Sequence, residues 1–442
     1  MNLVRIAIMI LSVIQLYTLF NISAWRKEKV IGWDVVSYYS YLPSIFIYDD
    51  IGNKNPETPN TGWHWPTKDG NRVVKMSMGV AICCAPAFFV VHGWQKLTGG
   101  NTGGWSIPYH FAVAISNWLF VLLGLFFLAK TLELRFSPQV TISTLVVIFL
   151  GTNLFYYSTS EPGMSHGFSF SLIAAYIYYI VRWHNNPRLM VAAIIGFLFG
   201  LITLIRPVNL IVFLLFAFYG VSDWKSFVSQ WRNKVRNMKH LIVFVIMFAI
   251  AVFPQMLYWK EVTGNWLFYS YIGEHFFWND PKILEGLFSF RKGWLLYTPV
   301  MAFAVAGLFF MRKKFPELKL AMVLLLLLFI YVTFSWWSWW YGGSYGMRPM
   351  IDIYAVLALP LASFMGVLLE KSKRIRMITY TLAFCFVSLS LFQTLQYRYN
   401  ILHYDSTSRD LYLKSYFRLK KSTDFEQLLA PPDYDAARQG TR

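Results

Sequence analysis

Met76-Ser77-Met78-Gly79-Val80-Ala81-Ile82-Cys83-Cys84-Ala85-Pro86-Ala87-Phe88-Phe89-Val90-Val91-His92-Gly93-Trp94 is the stretch on which the topology turns. It approaches the roughly 20 apolar residues that a bilayer crossing needs, yet it carries a proline, a histidine and two adjacent cysteines. If it crosses a membrane, every later loop changes side. Its status is therefore decided by the charges that follow it.

Those charges belong to a chain that is too apolar for water. Of 442 residues, 56% are hydrophobic and only 14% charged, against about 25% charged in ordinary soluble domains. Runs of about 20 apolar residues place spans near 3–21, 109–129, 139–157, 164–181, 189–205, 208–222, 241–259, 294–311, 319–337, 351–369 and 377–395. That gives eleven transmembrane helices in an all-α polytopic membrane protein, the first reading as a retained signal-anchor helix. The formal net charge of +18 is spread in short clusters between the spans, so a nucleic-acid partner is not expected.

With 76–94 kept on one side, as a juxtamembrane or re-entrant helix, the clusters fall together. Lys130 and Arg135, Arg182 and Arg188, Lys225 to Lys239, Arg312 to Lys319 and Lys371 to Arg376 share the side of the N-terminus. The short loops opposite hold only Arg206 and Arg348. Basic loops mark the cytoplasmic face, so this arrangement is preferred and the opposite face is outer. The chain then divides into a transmembrane body, 1–395, with outer loops near 22–108 and 260–293, and an outward-facing tail, 396–442. The first loop carries turn chemistry at Gly52-Asn53-Lys54-Asn55-Pro56 and Thr61-Gly62-Trp63-His64-Trp65-Pro66. The tail is polar and is expected to be partly disordered beyond about Leu429. Cys83, Cys84 and Cys385 show neither disulfide nor zinc spacing.

This orientation collects the unusual polar residues on the outer side. Asp34, in Ile31-Gly32-Trp33-Asp34-Val35-Val36-Ser37-Tyr38-Tyr39, follows the first span among boundary aromatics, where an N-cap role competes with a chemical one. Glu161 and His166 occupy an outer turn and are candidate metal or phosphate ligands, against a plain helix start. Arg206 precedes a helix-breaking Pro207, at the depth of a lipid phosphate that a planar guanidinium can grip. Trp336-Trp337-Ser338-Trp339-Trp340-Tyr341-Gly342-Gly343-Ser344-Tyr345-Gly346-Met347-Arg348-Pro349 adds aromatic faces, among them Trp340 and Tyr345, suited to sugar rings, and a second arginine, Arg348. An interfacial aromatic belt would account for its tryptophans but not for the glycines and arginine. The second outer loop, with Glu274 and His275, reads as a cover.

These features resemble the GT-C superfamily of membrane glycosyltransferases, which includes protein O-mannosyltransferases and bacterial aminoarabinose transferases. The resemblance spans roughly the first 370 residues: the layout of spans, Asp34 after the first helix, the Lys75-to-Trp94 stretch and Gly346-Met347-Arg348-Pro349-Met350-Ile351-Asp352. The sequence has a single Asp34 where many relatives have Asp-Glu, and Met76-Ser77-Met78 where many have Lys-Pro-Pro. The resemblance implies transfer of a hexosyl or pentosyl group from a polyprenyl-phosphate donor to a glycan, lipid or protein hydroxyl outside a bacterial inner membrane, facing the periplasm. Asp34 would be the base, Arg206 and Arg348 would bind the phosphate, and Tyr345, Trp340 and His275 would contact substrate. A divalent cation, Mg or Mn, held by Glu161 and His166 would be an optional cofactor. Two alternatives remain: an O-antigen polymerase or ligase using a diphosphate-linked glycan, and a lipid or solute transporter. The transporter is disfavoured because the charges cluster at one boundary and no internal repeat is evident.

Overall fold

The computed structural model describes residues 3–55 and 62–442. Pro56 and Thr61, in the expected turns of the first loop, lie outside them. The helices are α1 Leu3–Ile22, α2 Asp34–Tyr39, α3 Tyr41–Phe46, α4 Gly79–Thr98, α5 Ile107–Leu132, α6 Pro138–Leu150, α7 Leu154–Thr159, α8 Ser165–Asn185, α9 Leu189–Ile205, α10 Phe213–Ala217, α11 Trp224–Arg236, α12 Met238–Thr263, α13 Ile283–Phe288, α14 Trp294–Tyr297, α15 Met301–Gly307, α16 Pro316–Ser335, α17 Tyr354–Leu369, α18 Lys373–Arg398, α19 Arg409–Ser415 and α20 Tyr434–Arg438. A short antiparallel ribbon, β1 His64–Pro66 with β2 Arg72–Val74, lies in the first loop.

Among the described residues, seven helices are long and apolar enough to cross a membrane. Six coincide with expected spans; the seventh is α4. Two further expected spans, 164–181 and 189–205, are the continuous helices α8 and α9, and the other three are interrupted. The 139–157 span is interrupted at Gly151-Thr152-Asn153 between α6 and α7. The 208–222 span opens as a 3-10 turn, Pro207–Val212, before α10, and the 294–311 span is broken between α14 and α15 around Pro299. Proline lacks the N–H that a continuous helix requires, which accounts for the second and third breaks.

The packing gives the bundle two ends. Helices α5 and α8 run in the same direction, with Phe120 against Phe168 and Phe127 against Tyr178 and Tyr179. Helix α9 returns beside α8, so Arg206 at its end lies next to His166 at the start of α8, 3.3 Å apart. Helix α12 follows α9 closely because Gly196 has no side chain: a Cβ there would meet the Phe244 carbonyl oxygen at 2.2 Å. At the far end, Arg135 pairs with Glu317 at 3.4 Å and the Trp183 indole donates to His240 at 3.0 Å. That end gathers the basic clusters.

Helix α4 does not run through the bundle. Its first residue, Gly79, abuts Ile205, where a Cβ would meet the Ile205 nitrogen at 2.4 Å. Its other end is tied to the start of α5 through His92 and the Tyr109 hydroxyl at 2.8 Å. The end of α9 and the start of α5 lie at the same end of the bundle, so α4 lies across that end. The stretch expected to be juxtamembrane or re-entrant is one continuous helix, long and apolar enough by itself to cross a membrane.

The tail differs from the disorder expected of it. Thr407 bridges Leu429, the Tyr434 hydroxyl donates to Asp405 at 2.9 Å, and Asp433 caps α20 through the amides of Asp435 and Ala436. Arg442 donates to the Trp336 carbonyl at 2.9 Å. Polar composition suggested a solvated segment, but its aromatic and charged side chains find partners on the Trp-rich segment.

Candidate functional site

The site forms where four segments meet: the start of α2, the start of α8, the end of α9 and a 3-10 turn, Arg348–Ile353, leading into α17. Asp34 is the first residue of α2, and the N-cap position belongs to Trp33, which makes no side-chain cap. The capping role is therefore excluded. Instead the Asp34 carboxylate accepts from Arg348 at 3.0 Å, with both side chains less than one-fifth exposed. Trp33 itself has φ 52°, a conformation that costs a bulky L-residue free energy and is held here beside the carboxylate.

Asp352, fully buried, holds the second arginine. One carboxylate oxygen pairs with His166 Nδ1 at 2.8 Å and the other accepts from Arg206 at 3.3 Å. The Arg206 guanidinium also lies 5.9 Å from the ring centre of Tyr341, whose own φ is 57°. Tyr38 lies one helical turn after Asp34, and its hydroxyl donates to Ser165 at 3.4 Å. Each arginine thus commits one terminal nitrogen to a carboxylate, out of the five N–H donors of its fork.

Glu161 lies at the turn before α8 and accepts from the Tyr156 hydroxyl at 2.8 Å. Burial pushes its carboxyl above the usual range, against that hydrogen bond and the Arg348 charge. Glu161 and His166 have different partners, and no cluster of three or more His, Cys, Asp or Glu side chains suited to a metal occurs among the described residues. The charged Arg206 against the His166–Asp352 pair further opposes a cation at that point. The residues present do not fit the Mg or Mn site expected from Glu161 and His166.

The expected substrate contacts disperse. Tyr345 is fully buried, its amide donating to the Tyr157 hydroxyl and its own hydroxyl to the Ser390 carbonyl. Trp340 is enclosed beneath Arg291 and Tyr434. His275 is exposed on the second loop, its carbonyl accepting from the Trp337 amide. The structure brings Asp34, Arg206, Arg348, Glu161 and His166 to one region but leaves Trp340 and Tyr345 enclosed among other side chains and His275 exposed on the second loop.

Beside this region the two long loops, near 22–108 and 260–293, are joined. Lys75 pairs with Glu274 and lies 5.1 Å from the Tyr271 ring and 5.7 Å from the Trp63 ring. The Trp65 indole donates to the Ser270 carbonyl at 2.9 Å and the Ser270 hydroxyl to the Lys75 carbonyl at 2.6 Å. Below the Gly-rich stretch, buried Lys292 donates to the carbonyls of Ser344 and Tyr404. Desolvation lowers its ammonium to about 7, partly countered by Asp405. From sequence, Tyr38 carries no role, its i, i+4 spacing from Asp34 being the available signal; Tyr271 belongs only to the cover and Lys292 only to the unusual polar residues. No protein-family model and no curated protein sequence matches the chain.

Proposed function

We propose that this protein is a polytopic membrane glycosyltransferase that moves a sugar from a polyprenyl-phosphate donor to an acceptor hydroxyl at the end of the bundle bearing Asp34. The single observation that carries the reading is the meeting of Asp34 with Arg348, beside the Arg206–Asp352–His166 group, inside an otherwise apolar chain. An anionic lipid headgroup arriving at this depth meets two planar guanidinium groups with unused donors. A phosphate that takes over Arg348 releases the Asp34 carboxylate. The freed carboxylate then accepts the proton of the acceptor hydroxyl as its oxygen bonds to the anomeric carbon. The bond from that carbon to the phosphate oxygen breaks, its electron pair leaving with the phosphate and the anomeric configuration inverting. A phosphate is a stable leaving group, so a second carboxyl acting as acid is not required.

In this reading α6 with α7, α8, α9, the 3-10 turn Pro207–Val212 with α10, and α14 with α15 complete eleven crossings with the six long helices. The basic end faces the cytoplasm of a bacterial inner membrane and the site faces the periplasm. The test uses protein reconstituted in lipid vesicles with a short-chain prenyl-phosphate hexose or pentose and a panel of hydroxyl acceptors. Acceptor-dependent release of prenyl phosphate is expected. Release from a diphosphate-linked glycan alone would move the reading to a polymerase or ligase, and no release from either would sink the transferase.

A further inference from the structure

At the opposite end of the bundle, α11 carries the sequence Trp224-Lys225-Ser226-Phe227-Val228-Ser229-Gln230-Trp231-Arg232-Asn233-Lys234-Val235-Arg236 and contains no acidic residue. It is a deliberately started helix: Asp223 accepts from the Ser226 amide at 2.8 Å while the Asp223 amide donates to the Ser226 hydroxyl at 2.9 Å, a reciprocal cap. Helical spacing sorts its side chains into three strips. One strip holds it to the protein: Lys234 is buried near the rings of Trp231 and Phe216, and Phe227 packs on Phe218. A second strip is apolar and open, with Trp224 75%, Val228 39% and Val235 48% exposed. The third is exposed and basic, with Lys225, Arg232 and Arg236.

Helix α12, which follows directly after Asn237 and is one of the helices long and apolar enough to cross a membrane, also begins with exposed apolar side chains, Met238, Ile242, Val245 and Ile246. A helix that leads straight into an apolar span, and whose cations stand beside an open apolar edge, has the form of an interfacial element. Three exposed cations against the single capping carboxylate of Asp223 select an anionic surface.

We propose that α11 is an in-plane anchor that seats its Trp224–Val228–Val235 edge below the headgroups of an anionic phospholipid bilayer and binds their phosphates with Lys225, Arg232 and Arg236. This surface is independent of the site at the other end of the bundle and of the reaction assigned to it. Each basic side chain near such a surface favours it by about five-fold.

The test uses full-length protein carrying Cys385→Ser, since Cys83 and Cys84 are buried. A nitroxide is attached through Val228→Cys or Arg232→Cys, and the protein is reconstituted in vesicles of phosphatidylcholine with or without phosphatidylglycerol. Collision with oxygen should dominate at 228 and with a water-soluble nickel chelate at 232. Immersion at 228 should deepen with phosphatidylglycerol, and Lys225→Gln with Arg236→Gln should abolish that dependence. Equal nickel access at both positions places the helix in water and overturns the proposal. Immersion indifferent to phosphatidylglycerol overturns the headgroup assignment, and dipolar broadening between labels at 228 shows a second copy on the face and overturns it too.

Discussion

The Asp34 carboxylate and the Arg348 guanidinium, 314 residues apart in the chain, lie 3.0 Å from each other at less than one-fifth exposure. Two long-separated charges seldom meet in an apolar chain without function, because removing each from water costs several kcal/mol before their attraction is counted. The pair fixes the start of α2 against the turn before α17. It also makes each group the natural competitor of whatever ligand the other would bind.

Asp34→Asn separates shape from proton uptake. Asparagine keeps the size of the side chain and a carbonyl oxygen for Arg348, but it cannot take a proton from an acceptor hydroxyl. General base catalysis contributes about 10²–10⁴-fold, so kcat should fall by that order while the protein still purifies as a folded species. Near-normal turnover of the donor would remove Asp34 from the reaction.

Arg348→Lys keeps the charge and discards the planar fork. A lysine can meet Asp34 or a phosphate, but not both in the same geometry. Donor use should weaken by about 1.5–3 kcal/mol, the range for a hydrogen bond to a charged group, read as a raised KM for the prenyl-phosphate sugar. Unchanged donor kinetics would leave Arg348 as a structural partner of Asp34.

Asp352→Ala should cost stability as well as activity, since it strands the partly buried Arg206 and the buried His166 together. Removing one partner of a buried ion pair typically costs about 3–5 kcal/mol. Thermal unfolding in detergent measures it, with Asp435→Asn as a comparison, because Asp435 is 88% exposed in its pair with Arg438. Equal melting temperatures for the two variants would show that Asp352 carries no structural load.

Lys292 predicts a pH dependence whose sign follows from its burial. Its folded value is lowered to about 7, chiefly by desolvation, from about 10.4 in an unfolded chain. The unfolded state therefore binds more protons between these values, and stability rises with pH across that window. It is full above about 10.4, declines as pH falls, and its loss is complete once the folded amine is protonated below about 7. Lys292→Met removes the titration, so the melting temperature of the native protein relative to this variant should drop between alkaline and neutral pH. A constant difference would contradict the assignment.

How much of this was legible in the sequence depends on distance along the chain. The six long spans that coincide with the structure were readable because a run of apolar residues is a local signal. Asp34, Arg206 and Arg348 stood out for the opposite reason, as charges interrupting apolar or aromatic surroundings. Their pairing was not readable, since nothing local says that Arg348 selects Asp34 while Arg206 selects Asp352. The aromatic segment misled more: Trp340 and Tyr345 have the composition of a sugar platform, but their rings are enclosed by Tyr434, Arg291, Tyr297 and Tyr397. The tail that covers Trp340 lies roughly a hundred residues later, and composition cannot show what will pack on what.

The position of α4 yields the last prediction, because the helix reaches the site through a single glycine. A Cβ at Gly79 would meet the Ile205 nitrogen at 2.4 Å and the Leu204 carbonyl carbon at 2.5 Å, backbone atoms that cannot rotate away. The Ser77 hydroxyl donates to the Leu204 carbonyl at the same crossing, and the next residue after Ile205 is Arg206. Gly79→Ala must therefore push α4 away from the end of α9 or displace that end and its arginine. Overpacking of this kind costs about 1–3 kcal/mol. Gly93→Ala, in the same helix with nothing within 4 Å, supplies the matched control. Thermal unfolding of the two variants should separate them, with Gly79→Ala lower and, on the transferase reading, a raised KM for the donor because Arg206 has moved. Equal stability and equal donor KM would mean that α4 does not bear on the end of α9, and the placement of α4 across this end of the bundle would have to be abandoned.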